Sequence, residues 1–161
     1  MDISQFTDFL RGLPDQLLDD ASEVVADTAQ EYFKESFTRK AFDGNPWEAA
    51  RRPKRTGSLL IDSGALLNSI RPVVVTPERV VISAGNDKVT YASVHNEGFI
   101  GSVPVPAHLR EAPKNSGKFY DVRAHTRHVN IPQRQFMGDS RELADIIHER
   151  ISGLLDTLLN F

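Results

Sequence analysis

The sequence predicts an α+β fold: a long N-terminal helix, an antiparallel sheet of about four strands, and a C-terminal helix packed on that sheet. Three observations predict it. Apolar residues recur at helical spacing near both ends of the chain. The middle instead holds short β-branched runs punctuated by Gly, Pro and Asn. A length of 161 residues with 40% apolar content supplies one core and leaves too little for a second, so residues 1–161 read as a single domain.

From 14 to about 40, Leu17, Leu18, Ala21, Val24, Val25, Ala29, Tyr32, Phe33 and Phe37 repeat with the helical period, with acids on the opposite face. Pro14 suits the first turn, where its missing N–H would go unbonded, and Asp15 complements the positive end of the helix dipole. Residues 3–10 are expected to form a short preceding helix, broken at Gly12. Residues 41–58 are rich in Gly, Pro and basic side chains and read as a connecting loop carrying Phe42 and Trp47. The indole either covers the edge of its own core or anchors in a partner's pocket.

Ser63 is the expected N-cap of a short helix through Ile70, stopped by Pro72. Val73-Val74-Val75 and Val80-Val81-Ile82 form a β-hairpin around Thr76-Pro77-Glu78-Arg79, where Pro sits as a tight turn requires. Asn86-Asp87 ends the second strand, and residues 91–97 form a short helix terminated by Gly98. Residues 99–118 contain Gly101, Pro104, Pro106, Pro113, Asn115, Ser116 and Gly117, and read as a long flexible loop. Residues 119–124 and 127–131 read as two further strands. Asp139 and Glu142 have capping-box spacing ahead of the last helix, whose stripe is Leu143, Ile146, Ile147, Ile151, Leu154, Leu155, Leu158 and Leu159.

Charge alternates along the chain. Residues 1–37 carry nine acids against Arg11 and Lys34, whereas 38–58 carry Arg39, Lys40, Arg51, Arg52, Lys54 and Arg55 against Asp43 and Glu48. Residues 99–138 are again basic, and those from Asp139 onward acidic. One reading is ordinary solvated surface; the other is a basic loop of one subunit meeting an acidic helix of the next, as head-to-tail contacts require.

The residues offer little to catalysis. Cys is absent, which excludes disulfides and thiolate metal sites and fits a reducing cytoplasm. No apolar run reaches the roughly 20 residues that span a bilayer, and the start Met1-Asp2-Ile3-Ser4-Gln5 has no signal-peptide character. Ser63 in Asp-Ser-Gly fits a helix cap better than a nucleophile elbow. His125 and His128 fall on opposite faces of a strand, which disfavours a shared metal. His95 and Glu97 diverge on a helix, so a partly buried imidazole holding a turn is expected. Arg51-Arg52-Pro53-Lys54-Arg55 could attract phosphates, but the overall acidity (pI ≈ 5.9) and the lack of a reader motif speak against direct nucleic-acid binding. No catalytic, cofactor-binding or metal-binding set emerges, and no cofactor is expected.

One ordered set of short signatures stands out. Gly44-Asn45-Pro46-Trp47 comes first, then Asp62-Ser63-Gly64-Ala65-Leu66-Leu67-Asn68-Ser69-Ile70. Tyr91-Ala92-Ser93-Val94-His95-Asn96-Glu97-Gly98 follows, and Ile131-Pro132-Gln133-Arg134-Gln135-Phe136-Met137-Gly138 precedes the terminal helix. From about Phe33 onward this order resembles the phage virion morphogenesis family, which includes tail completion proteins of Mu-like and related contractile-tailed phages and prophages. The resemblance implies a structural role at the end of the tail tube or at the head-to-tail junction, commonly as a ring. It implies self-association, contact with tail-tube or head–tail connector proteins, and residence in the bacterial host cytoplasm before the virion. The candidate partner interface is Phe42, Trp47, Arg51, Arg52, Lys54, Arg55, Arg110, Lys114 and Lys118. The alternative is a head-completion or neck protein contacting portal DNA through its basic loops.

Overall fold

A computed structural model describes residues 15–50, 57–112 and 117–159. The short helix expected over residues 3–10 lies outside them. The described chain is α+β, with a long helix at one end, antiparallel strand pairs and a second long helix at the other.

Helix α1 (Asp15–Arg39) buries Leu17, Ala26, Ala29, Tyr32, Phe33 and Phe37 together with Ser22, Thr28 and Ser36. The buried hydroxyls of Ser22, Thr28 and Ser36 each donate to a carbonyl four residues back, so small polar residues line a packing face without an unmet hydrogen bond. Lys40 ends the helix in the left-handed conformation (φ 53°) that glycine more often supplies.

The expected connecting loop begins instead as a small hairpin, β1 (Ala41–Phe42) with β2 (Asn45–Pro46). Asp43 and Gly44 between them both have positive φ, 47° and 75°. Two such central residues make the turn that matches strand twist, and Asp-Gly is its common sequence. Phe42 lands inside the core, 3% exposed.

Helix α2 (Ala65–Asn68) is shorter than expected, and Gly64, left-handed at φ 79°, occupies its N-cap. Ser63 makes only a 3.4 Å contact with the Ala65 amide, so it is not the cap. Pro72 does not stop this helix; it lies in β3 (Arg71–Thr76), at the irregularity of the ladder with β4 (Arg79–Ser83). That hairpin forms as the Val runs and the Thr76–Arg79 turn required, and it packs on α1. Helix α3 (Ala92–Glu97) ends at Gly98.

The largest departure from expectation is the stretch read as a flexible loop. Residues from Phe99 instead form β5 (Phe99–Val105) and β6 (His108–Glu111), which pair with β8 (His125–Ile131) and β7 (Phe119–Val122) respectively. One register runs through both ladders, interrupted at 106–107 and 123–124. The result is a hairpin arm on the order of 40 Å long at 3.3 Å per residue. Its prolines misled the sequence reading because they are tolerated here: both strands of a two-stranded ribbon are edges, where an amide hydrogen can be missing. Gly101 makes room for the Phe99 ring, which a Cβ there would meet at 2.8 Å.

The strands thus form separate two-stranded ladders in place of one four-stranded sheet. Helix α4 (Arg141–Leu159) finds its main partner in α1 rather than in a sheet. Its cap is Ser140, whose Oγ accepts from the Leu143 amide at 3.1 Å, one residue later than the Asp139 cap expected. Among the described residues no helix is long and apolar enough to cross a membrane.

Candidate functional site

The four signatures, scattered over almost a hundred residues, converge on one node. At its centre Phe37 and Phe136 are fully buried, with ring centroids 5.1 Å apart. Trp47 meets Phe37 edge-on at 5.6 Å and donates its indole N–H to the Gln135 carbonyl at 2.6 Å. Its one polar group is therefore satisfied inside its own chain, and the half-buried ring covers its own core.

Asn96 is the clamp between the second pair of signatures. Its Oδ1 accepts from the amides of Phe136 and Met137 at 2.9 and 3.0 Å, and its Nδ2 donates to the Met137 carbonyl at 3.2 Å. One residue earlier, the His95 carbonyl accepts from the Arg134 amide at 2.8 Å. Arg134 is itself buried and donates from Nε to the Glu48 carbonyl at 3.0 Å. Gly98 lies against the other strand of the arm base, where a Cβ would stand 2.9 Å from the Gln133 nitrogen. The third and fourth signatures thus bolt the root of the arm to the aromatic core.

Leu67-Asn68-Ser69-Ile70 plays the same part for the β3–β4 hairpin. Ser69 Oγ donates to the Leu66 carbonyl and accepts from the Gly85 amide at 2.9 Å, and the Ile70 carbonyl accepts from Gln30 on α1 at 2.8 Å.

A polar latch joins α1, the β1–β2 turn and α4. Tyr32 donates to Glu142 at 2.8 Å, while Arg39 Nη2 lies 2.8 and 2.7 Å from the two Glu142 oxygens. Asp43 Oδ1 accepts from the Glu142 amide at 3.2 Å and lies 2.8 Å from Ser140 Oγ, so a second carboxylate caps α4 from outside the helix. The Tyr32 hydroxyl and then Arg39 hold the Glu142 carboxyl below its ordinary range. Ser140 and then the Glu142 amide do the same for Asp43, whereas burial raises Tyr32.

His95 borders an open hollow of about 510 Å³ with Tyr91, Lys40 and residues 57–62. Burial, and next the charge of Arg134, push the imidazole below its usual pKa, and its Nδ1 is buried without a hydrogen-bond partner among the described residues. Its ring stands edge-on to Tyr91 at 5.7 Å. Among the described residues, no group of three His, Asp or Glu is placed to hold a metal ion. What the node and the latch can do chemically is hold geometry: every polar contact above fixes one segment against another.

The candidate interface residues separate into four groups. Phe42 belongs to the core and cannot serve a partner while the chain is folded; it packs against Tyr32 and Phe33. Trp47 is half-buried at the node. Arg51, Arg52, Lys54, Arg55 and Lys114 lie outside the described residues. Arg110 and Lys118 come together, both exposed, on the distal part of the arm, where Arg110 pairs with Tyr120 and the Ala112 amide donates to the Lys118 carbonyl at 2.8 Å.

The sequence reading missed the apolar side chains beside them. Ile100, Leu109 and Phe119 are 73%, 67% and 64% exposed, with Val103 and Tyr120 also open. The signal that could have found them is the alternation Phe99, Gly101, Val103, Val105, which has the strand period.

No curated protein and no solved structure matches the chain significantly. The model of one protein family does match, over residues 1–156, and it describes the phage virion morphogenesis family. The chain therefore belongs to the phage virion morphogenesis family, and its role is a structural one in phage assembly.

Proposed function

We propose that this chain completes the phage tail as one subunit of a ring at the end of the tail tube, where tail meets head. The observation that supports this reading most is the division of the chain into a bolted body and a projecting arm. The body closes its own aromatic core, whereas the arm exposes Ile100, Leu109 and Phe119. A ring with head-to-tail contacts needs two unlike surfaces on each subunit, and a projecting element beside a rigid body supplies them. Apolar side chains this open on strands with unpaired edges are otherwise a liability.

Electron microscopy of particles assembled without this protein tests the proposal. Filled heads beside unjoined tails are expected, and tails of uncontrolled length would mark the terminator position specifically. Intact joined virions in its absence would refute it.

A further inference from the structure

The arm has two dissimilar faces. Because side chains alternate along a strand and the register is the same in both ladders, odd-numbered residues share one face of each ladder and even-numbered residues the other. The odd face is mainly apolar, with Phe99, Val103, Val105, Leu109, Phe119 and Val129, and it also holds both acids of the arm, Glu111 and Asp121, beside His125 and Arg127. The even face holds none. It presents His108, Arg110, His128 and, just beyond the ladder, Lys118, with exposed Ile100 and Tyr120 among them.

The two ladders find their principal contacts within the arm itself and not in α1, α4 or the β3–β4 hairpin. An isolated two-stranded ribbon is marginal in water and needs a further layer to become firm. Elsewhere on the chain, α1 carries a ridge of opposite charge. Asp19, Glu23, Asp27, Glu31 and Glu35 recur at every fourth position and all are exposed; Lys34 lies next to Glu35, and Glu31 pairs with Arg150 of α4 at 2.9 Å, so the stretch from Asp19 to Asp27 is the most acidic part. Four-residue steps form a continuous ridge on a helix surface, here on the order of 24 Å long at 1.5 Å per residue. The even face from Ile100 to Arg110 extends over roughly 33 Å at strand spacing. The charges are therefore opposite in sign, and the face is long enough to cover the ridge.

We infer that the acid-free face of the arm seats on the acidic α1 ridge of a second copy of this chain. This contact rests on the reading of the protein as a ring subunit and specifies which surfaces meet. Coulomb attraction sets the orientation, and covering Ile100 and Tyr120 contributes the burial.

Sedimentation velocity of the whole chain over a concentration series, at low and high salt, provides the test. The wild type is expected to self-associate, less so in high salt. On the arm, Arg110→Glu with Lys118→Glu, and on the helix, Glu23→Lys with Asp27→Lys, should each raise the dissociation constant about tenfold or more. All four substitutions together should restore much of the loss. Ile100→Ser should weaken association by about tenfold without a charge change. These side chains are exposed, so unchanged melting curves will separate lost contact from lost fold.

A wild type that remains monomeric, or that associates as tightly with either charge reversal, overturns the inference. So does weakened retention of the Arg110→Glu, Lys118→Glu variant on a DNA column with self-association unchanged, which would make nucleic acid the occupant. If particles lacking the protein still show unjoined tails, the tail role survives that failure and only this contact is lost.

Discussion

Replacing Asn96 with Ala removes the clamp that ties α3 to the segment leading into α4. Two amides, of Phe136 and Met137, lose their acceptor, and the Met137 carbonyl loses one of two donors and keeps Gln135 Nε2 at 3.3 Å, all in a partly buried setting. A neutral hydrogen bond is worth about 1 kcal/mol net, and a stranded buried group costs about 1–3 kcal/mol, so the loss should total about 2–4 kcal/mol. For a chain of 161 residues that lowers the melting temperature by about 5–15 °C. Scanning calorimetry and guanidinium denaturation should agree on the value. Asn96→Asp is the informative companion. It retains the acceptor for both amides but turns a carboxylate oxygen toward the Met137 carbonyl, so it should fall between wild type and Ala. If Asn96→Ala melts within about 1 °C of wild type, the claim that this side chain joins the two signatures is wrong.

Gly98→Ala should destabilise by about 1–3 kcal/mol, since φ 79° with ψ 167° is a region open essentially to glycine and the new Cβ would press on Gln133; chemical denaturation checks it. The lowered carboxyls of Asp43 and Glu142 stabilise the fold fully above the ordinary carboxylate range near pH 4, and that contribution disappears as pH falls through their lower folded values. Melting temperature followed from pH 6 to 2 should therefore drop, and drop less in Glu142→Gln. Ser63→Ala should change stability by less than about 0.5 kcal/mol in urea titration, because its single amide contact is long and exposed. A loss near 1 kcal/mol would restore Ser63 as the cap.

Much of the scaffold was legible in the sequence. Both long helices, the Val hairpin with its Pro turn and the Gly98 stop depend on neighbours within one turn or one strand, and they appear where the residues put them. The Asp-Gly turn after α1 was equally local and was overlooked because the surrounding Gly, Pro and basic residues looked like loop. The cap of α4 illustrates a different limit. Asp139 and Ser140 are both good cap residues, and the choice of Ser140 goes with contacts to Tyr32 and Asp43 about a hundred residues away. Among the described residues of the candidate interface, only Arg110 and Lys118 are exposed and together. Phe42 lies in the core because the hairpin around Asp43-Gly44 turns it inward; the turn is local, but the direction of the ring depends on packing against Tyr32 and Phe33.

The sequence alone determined which segments are helical, where the Val hairpin turns, and that charge is divided in blocks. Those properties arise from periodicity and composition within a few residues. Only the tertiary structure decided that the signatures converge on Phe37 and Phe136, that strands pair as separate ladders, and that residues 99–131 stand out as an arm with unlike faces. Pairing Phe99 with Ile131 depends on residues 32 positions apart, and its register follows from the whole set of contacts the two strands can make, which no local window contains.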